Sequence, residues 1–364
     1  MKSKMKGLIG IIILGVATIL LGGAIYLSTS VGVQKSFSIA LKEVYILKAI
    51  NQLESIKQFL EYPINYSFSQ AIYTVAKQSG YCNYNPSVPQ ESGIYYWRVK
   101  SSTYFPDYIG SLEKCLKKYL NKYADSLNVP EYKEVKIDEN EGKISVITDS
   151  MMSKSVDTQT IDATIKANPN RTTYFDKKVL SSFKTAKRLY IDSDIIKTAV
   201  LNVIKNSCKT ASKKYSCSEC PKTPSQVHDD VCGASWKSET ESKIKKAINS
   251  LNGIYGDVRI EHDIKYIDVS YSGTCDHTYK YKKECYQKCE NIDGEEICNT
   301  VCYDVCDYCI ASCKYTNQAE VKVLVKVYYP ASDDKSLFYP VYDDGKRKLS
   351  KIVLRFYVRE TIIS

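Results

Sequence analysis

The chemistry open to this chain is concentrated in its cysteines. Cysteine sulfurs either pair as disulfides or bind a soft metal ion as thiolates. The 14 cysteines form three groups of even size. The groups are Cys82 and Cys115; Cys208, Cys217, Cys220 and Cys232; and Cys275, Cys285, Cys289, Cys298, Cys302, Cys306, Cys309 and Cys313. Because even groups are typical of local disulfide frameworks, we predict that all of these cysteines pair.

Two Cys-x2-Cys segments allow a second interpretation. Residues 217–220 and 306–309 have the spacing of a zinc site, and His228 and His277 lie near them in the sequence. A redox role fits less well, because neither segment opens a helix after a strand. The compartment decides between these readings, since disulfides persist outside the cytoplasm. We expect disulfides there, with no metal and no cofactor, and keep zinc as the alternative.

The spacing inside the third cysteine group predicts local structure. Cys285 and Cys289 are four residues apart, and so are Cys298 and Cys302. That spacing places each pair on one face of a helix. With residues 291–295 as the turn, the pattern resembles a disulfide-linked helical hairpin.

Other side chains offer little that indicates catalysis. His228 precedes two aspartates, a combination suited to a small acid–base or metal cluster, although in a Cys-rich loop a surface turn is the favoured interpretation. We expect His262, in the middle of a predicted strand, to face solvent. The sequence contains no Gly-x-Ser-x-Gly, P-loop, dinucleotide or His-Glu-x-x-His motif. It therefore identifies no catalytic residue and leaves enzymatic activity open, with an extracytoplasmic hydrolase as one alternative.

The composition indicates a folded chain. Hydrophobic residues make up 44% and charged residues 25% of the sequence. The 31 tyrosines far outnumber the 8 phenylalanines and suit strands that have one wet face. A net charge of +10 over 364 residues describes a lysine-rich surface, and we expect no nucleic-acid partner.

The N-terminal segment predicts a membrane anchor. Lys2, Lys4 and Lys6 precede an uncharged apolar run over residues 7–27. Its 21 residues would span about 30 Å as a helix, the thickness of a bilayer core. The positive-inside rule keeps residues 1–6 in the cytoplasm. We expect a single-pass protein of the cell membrane, in contact with the lipid bilayer through this run, whose C-terminal ectodomain is extracellular.

Three fates of the apolar run remain open. An uncleaved signal anchor is favoured, because the run is long for a secretory signal. A cleaved signal is the second reading, since Gly22, Gly23 and Ala24 offer small residues at a cleavage site. The third is a prepilin-type leader, because residues 6–8 (Lys-Gly-Leu) resemble the junction cut by archaeal prepilin peptidases. The glutamate that many pilins carry five residues further on is absent here.

A stalk helix is predicted to follow over residues 28–62. Ile39, Ile46, Leu53 and Leu60 recur every seven residues. This apolar stripe is either a coiled-coil seam that joins copies in a homo-oligomer, or the face of a helix packed on its own domain.

The remaining chain predicts an α+β ectodomain with antiparallel sheet. We place a first subdomain at residues 63–170 and a second at 171–364, with a Cys-rich insertion over 275–313. Helices are predicted over residues 65–79, 109–127, 194–206 and 239–251, a loop over 81–110, and strands over 132–137, 143–148, 258–271, 321–328, 337–342 and 351–358. The order helix, Cys loop, Lys-rich helix, strand occurs twice, which suggests an internal duplication.

Two sequons mark candidate glycosylation sites. Asn65 is followed by Tyr-Ser and Asn170 by Arg-Thr. Asn170 is the better acceptor, because it lies in a polar loop.

The chain resembles a group of archaeal exported proteins. The resemblance is carried by residues 65–80, by the ending Tyr-Pro-Val-Tyr-Asp at 339–343, and by Leu-Arg-Phe-Tyr-Val at 354–358. With the anchor and the Cys-rich middle, these stretches are similar to single-pass, membrane-anchored, Cys-rich proteins of the archaeal surface. The resemblance implies a surface location and no particular activity. We expect a non-enzymatic role in adhesion, cell contact or envelope assembly, with other surface proteins as partners and a pilin-like filament subunit as the alternative.

Overall fold

The computed structural model describes residues 2–126, 129–158, 161–221, 223–292 and 295–364. The helices are α1 (Lys2–Phe59), α2 (Glu61–Lys77), α3 (Tyr108–Ser126), α4 (Ser181–Ala186), α5 (Ile195–Lys205), α6 (Pro224–Cys232) and α7 (Trp236–Asn249). The strands are β1 (Gln90–Glu91), β2 (Ile94–Val99), β3 (Ser102–Thr103), β4 (Glu134–Asp138), β5 (Lys143–Ile147), β6 (Met152–Thr158), β7 (Ile161–Ala167), β8 (Arg171–Tyr174), β9 (Thr210–Tyr215), β10 (Gly253–Tyr255), β11 (Val258–Ile292), β12 (Glu295–Tyr329), β13 (Tyr339–Asp343), β14 (Lys346–Ser350) and β15 (Ile352–Ile363).

The chain forms two compact units that interleave along the sequence. Unit 1 contains Met1–Ser67, Lys117–Lys136 and Lys143–Tyr174, and unit 2 contains Phe68–Leu116, Ile137–Gly142 and Phe175–Ser364. Helices and largely antiparallel sheets occur together, so the predicted α+β class is confirmed. The sequence-based subdomains at 63–170 and 171–364, and the internal duplication, stay predictions.

Unit 1 is built on the long helix α1. The helix runs without a break over 58 residues, and its C-terminal part lies against the hairpin of β6 and β7. Ala49 and Leu53 are buried on α1, and Met152 is buried on β6. Ile39, by contrast, is 57% exposed, so the heptad stripe is covered only toward its C-terminal end.

Most side chains of the predicted membrane run, residues 7–27, lie outside the part of the chain that the structure describes. Backbone of residues 7–27 belongs to α1. In the part of the chain that the structure describes, no helix combines the length and the apolar character needed to cross a bilayer. Membrane anchorage therefore stays a prediction from the sequence.

Unit 2 is organised around one mixed sheet. Its strand order is β1-β2-β15-β12-β11-β10, with β3 beside β2 and β9 beside β12. The pairing of β15 with β2 is parallel and the other pairings are antiparallel. Trp97 on β2 stacks on Phe356 of β15 at 3.8 Å between ring centroids, and both rings are fully buried. Such aromatic burial is a main source of core stability.

The predicted helical hairpin in the Cys-rich region is wrong. Cys285 and Cys289 lie on β11, and Cys298 and Cys302 lie on β12. A spacing of four residues suits one face of a helix, but four is also an even number, so it suits one face of a strand equally well. The β-forming residues of 277–281 (His-Thr-Tyr-Lys-Tyr) extend the predicted strand 258–271 to residue 292.

Two other local assignments are also corrected. The predicted loop over 81–110 contains β2, whose Tyr95, Tyr96 and Trp97 are buried against the sheet. The strands predicted over 337–342 and 351–358, which we expected to form a closing hairpin, do not pair with each other. Instead β13 pairs with β14, and β15 joins the central sheet through β12. In both cases the pairing of strands that are distant in the sequence decides the structure, and the local sequence pattern does not indicate that pairing.

Candidate functional site

The cysteines pair completely. Seven disulfides use all fourteen sulfurs, so the predicted complete pairing is confirmed. The expectation that each group pairs within itself is wrong, because Cys217 and Cys220 of the second group bond to Cys306 and Cys309 of the third. The pairs are Cys82–Cys115, Cys208–Cys232, Cys217–Cys306, Cys220–Cys309, Cys275–Cys313, Cys285–Cys302 and Cys289–Cys298.

The two Cys-x2-Cys segments are joined to each other. Cys217 pairs with Cys306 and Cys220 with Cys309, so neither segment closes a bond within itself. Next to them β9 pairs with β12 over residues 309–314. These links attach the segment ahead of α6 to the long β-hairpin.

The most prominent element of unit 2 is the outer end of that hairpin. We call residues 280–292 and 295–308 the arm. In the described residues of the arm, β11 and β12 pair only with each other. An isolated two-stranded ribbon is marginally stable in water. The disulfides Cys285–Cys302 and Cys289–Cys298 bridge directly opposite residues, with Cα atoms 4.1 and 3.9 Å apart, and hold the ribbon together.

The two faces of the arm differ in chemistry. One face carries the two cross-strand disulfides. The other presents Tyr286, Val301 and Tyr303, which are 51%, 39% and 51% exposed. The two tyrosine rings meet edge to face with their centroids 6.0 Å apart, and Lys282 pairs with Glu284 at 3.1 Å beside them. We call Tyr286, Val301 and Tyr303 the tyrosine face. Aromatic residues with a polar rim are typical of protein-binding surfaces.

His228 lies in an aromatic enclosure rather than in a surface turn. The α6 helix begins at Pro224 with a capping box from Thr223 and buries His228 to 1% exposure. Its ring stacks on Tyr271 at 3.6 Å, and Trp236 and Tyr315 approach it edge-on. Burial lowers the pKa of His228, which favours the neutral imidazole.

His262 is buried, and the expectation that it faces solvent is wrong. The Oδ1 atom of Asn252 lies 2.8 Å from the backbone N–H of His262 and 2.7 Å from its Nδ1, and accepts from both. The Tyr190 hydroxyl then donates to Nε2 at 2.7 Å. Burial lowers the pKa of His262 to about 4, so the ring stays neutral. This chain of hydrogen bonds links Asn252, just after α7, and Tyr190, in the π-helical turn after α4, to His262 on β11.

An ion-pair cluster around the buried Glu360 joins two strands of the same sheet. The Arg98 guanidinium contacts Glu360 at 2.5 Å and Asp194 at 2.9 Å. Burial, with a smaller contribution from Asp194, raises the pKa of Glu360 to about 7, against the lowering effect of Arg98. Burial also raises the pKa of Asp194. The cluster ties β2, β15 and the start of α5 together.

The two sequons occupy different surroundings in unit 1. Asn65 is exposed on α2, although its Oδ1 accepts a bond from Thr173 at 3.4 Å. Asn170 is half-buried, and its Oδ1 accepts from the backbone N–H of Thr148 at 2.8 Å. Glycosylation at either residue stays a prediction.

Comparison with protein-family models, with curated proteins and with solved structures finds no match to this chain.

The sequence did not reveal the tyrosine face. The helical interpretation of the cysteine spacing at 285–289 and 298–302 conceals the face that Tyr286, Val301 and Tyr303 share on the ribbon. The signal was nevertheless present, since Tyr286 and Lys288 alternate with Cys285, Gln287 and Cys289, the period of a two-faced strand.

Proposed function

We propose that this chain is a membrane-anchored, extracytoplasmic surface protein whose arm binds a protein partner. In this proposal residues 7–27 hold the chain in the lipid bilayer, and residues 28–364 lie outside the cell. The role is adhesion, cell contact or envelope assembly, without catalysis. The observation that carries the proposal is the arm, a disulfide-bridged β-ribbon that exposes two adjacent tyrosines.

The seven disulfides support the extracytoplasmic location. Thiol buffers keep cytoplasmic cysteines reduced, whereas exported proteins retain their disulfides. Complete pairing of every cysteine fits an oxidising compartment.

The construction of the arm supports a binding role. Along the arm no further strand of the described chain pairs with either edge. Tyr286 and Tyr303 are each 51% exposed to solvent. Exposed aromatic rings lower solubility unless a partner uses them. The cross-strand disulfides keep the rings in one arrangement, and such preorganisation reduces the entropy lost on binding.

A binding assay with intact cells tests the proposal. The full-length protein, reconstituted in nanodiscs, is labelled and titrated onto cells that produce it. We expect the double variant Tyr286→Ala/Tyr303→Ala to bind at least tenfold more weakly than the wild type. Tyr84→Ala is the matched control, because Tyr84 is 68% exposed in unit 2 away from the arm. Equal binding by the double variant and the control would refute the role of the arm.

The length of α1 favours a second candidate, a pilin-like filament subunit. At about 1.5 Å per residue the helix is roughly 87 Å long, far more than one bilayer crossing requires. Beyond the predicted span it exposes Ile39, Val44 and Leu47, at 57%, 59% and 55%. In a filament, neighbouring copies of α1 would bury these side chains, which would make the chain a homo-oligomer.

The N-terminus distinguishes the two candidates. Processing at the Lys6–Gly7 junction removes six residues, which intact-mass measurement of the purified protein detects directly. A processed N-terminus together with filaments in electron micrographs of producing cells supports the pilin-like role. An N-terminus that begins at Met1 excludes it and leaves the anchored surface protein.

A further inference from the structure

One cluster of metal-ligating side chains in unit 2 has no place in the proposed function. The sulfurs of Cys208 and Cys232 and one ring nitrogen of His228 all lie within 4.8 Å of one another. His228 and Cys232 are four residues apart on α6, so the helix presents both on one face. Cys208 approaches from the segment just ahead of β9.

The second observation concerns the imidazole of His228. The ring is 1% exposed, yet neither nitrogen has a hydrogen-bond partner within the described chain. The nearest carboxylate oxygen, on Asp229, is 3.8 Å from Nδ1, beyond hydrogen-bonding distance. Most buried polar atoms are satisfied, and an unsatisfied one costs about 1–3 kcal/mol. A ligand that accepts the nitrogen's lone pair would remove that cost.

We propose that Cys208, His228 and Cys232 form a binding site for a thiophilic metal ion of the Zn²⁺ type, which opens when the disulfide between the two cysteines is reduced. A thiol reductant supplies two electrons and is itself oxidised to a disulfide. The Cys208–Cys232 bond breaks, and each sulfur takes up one proton. The metal ion then displaces both protons and binds two thiolates and one neutral imidazole.

The geometry fits tetrahedral zinc. Zinc–sulfur bonds of about 2.3 Å and zinc–nitrogen bonds of about 2.0 Å place ligand atoms roughly 3.5–3.8 Å apart. The three donors already lie within 4.8 Å, so a shift of up to about 1.3 Å in the His228 position suffices once the sulfurs separate. Three protein ligands leave the fourth position open.

The surroundings of this disulfide suit the proposed site. Cys208 and Cys232 are both partly exposed, so a small reductant reaches the bond. Tyr271, Trp236 and Tyr315 hold the imidazole in place from three sides. Across the described residues, this is the one group of three or more His, Cys, Asp or Glu side chains with compact ligating geometry.

Cobalt binding to the reduced full-length protein tests the proposal. The protein is reduced without oxygen by a phosphine, freed of reductant and titrated with Co²⁺, whose thiolate complexes absorb in the near ultraviolet. We expect wild type to bind one more Co²⁺ than the Cys208→Ser/Cys232→Ser variant. His228→Ala should weaken that site at least tenfold, whereas His277→Ala, which changes an exposed histidine bonded to the Pro221 carbonyl, should leave it unchanged.

A second variant avoids reduction of the other six disulfides. Cys208→His frees the Cys232 thiol in the otherwise oxidised protein and supplies a second imidazole beside His228. We expect this variant to bind one Co²⁺ without any reductant, and addition of His228→Ala to abolish the binding. Cobalt uptake that does not depend on His228, or a Cys208→His variant that takes up no Co²⁺, would overturn the proposal.

Discussion

Cys285 lies directly opposite Cys302 across β11 and β12, with 4.1 Å between the two Cα atoms. This separation matches a non-hydrogen-bonded antiparallel pair, in which side chains approach closely. The disulfide therefore joins two residues that the strands already bring together. It fixes the register of the two strands of the arm. Because side chains alternate between the two faces of a strand, Tyr286 and Tyr303 then lie together on the face opposite the disulfide.

Removal of both arm disulfides should loosen the arm alone. With alanine in place of Cys285, Cys289, Cys298 and Cys302, the free energy of opening the arm should fall by about 3 kcal/mol. This is the value expected for a disulfide that closes a loop of about 15 residues, and Cys285 and Cys302 are 17 residues apart. Hydrogen exchange measures this as faster exchange of the amides at 280–292. The amides of 319–327 should keep their protection, because β15 pairs with β12 there. Equal loss of protection in both regions would contradict a locally stabilised arm.

The Arg98 cluster should respond strongly to loss of its cation. Arg98→Met removes the guanidinium that contacts the buried carboxylate of Glu360, and we expect a loss of about 3–5 kcal/mol at pH 8. At pH 5 the loss should be smaller, because the raised pKa of Glu360 lets the folded protein bind a proton there. Urea unfolding at the two pH values measures both numbers.

The exposed pair of Arg359 and Glu320 provides the control for that experiment. Their Nη2 and Oε1 atoms are 2.6 Å apart, but the arginine side chain is 44% exposed. Arg359→Met should therefore cost less than about 1 kcal/mol at either pH. Equal costs for the two arginine variants would show that the Arg98 cluster is not a buried ion pair.

His262 should make stability depend on pH in a known direction. Its pKa is lowered from the ordinary 6.5 to about 4, so the unfolded chain binds the proton more readily than the folded one. Its contribution is complete above pH 6.5 and is lost as the pH falls to about 4, a change of about 3 kcal/mol. His262→Gln lacks this titration, so the stability advantage of wild type over the variant should shrink by that amount across the same range. A constant difference would place His262 in contact with solvent.

Gly273 should not tolerate a side chain. A Cβ atom there would lie 2.4 Å from the Tyr315 ring and 2.7 Å from the Lys314 carbonyl oxygen. Tyr315 is itself buried against His228 and cannot move aside freely. We expect Gly273→Ala to cost about 1–3 kcal/mol, as overpacking does, whereas Gly253→Ala meets nothing within 4 Å and should cost little. Thermal unfolding of the two variants gives the comparison.

The sequence predicted α2, α3, α5 and α7 because the helical signal is local. Ile196, Val200 and Ile204 recur at helical spacing, and all three are buried on α5. The disulfides were predictable for a similar reason, since even cysteine groups in a chain that is predicted to be exported imply pairing.

The sequence failed where distant segments decide the structure. Tyr190 and His262 are 72 residues apart, and no local pattern indicates that one donates to the other. The spacing of Cys285 and Cys289 fits a helix and a strand equally, and only the partner strand resolves it. The tyrosine face depends on that choice, because a helix would have sent the same tyrosines in other directions.

Protease treatment of intact cells, followed by mass spectrometry of the released peptides, tests the central claim most directly. We expect peptides from residues 39–364 to be released before lysis, with their cysteines still joined in disulfides. Peptides from this range that appear only after lysis, with free thiols, would place the body of the chain in the cytoplasm and contradict the account.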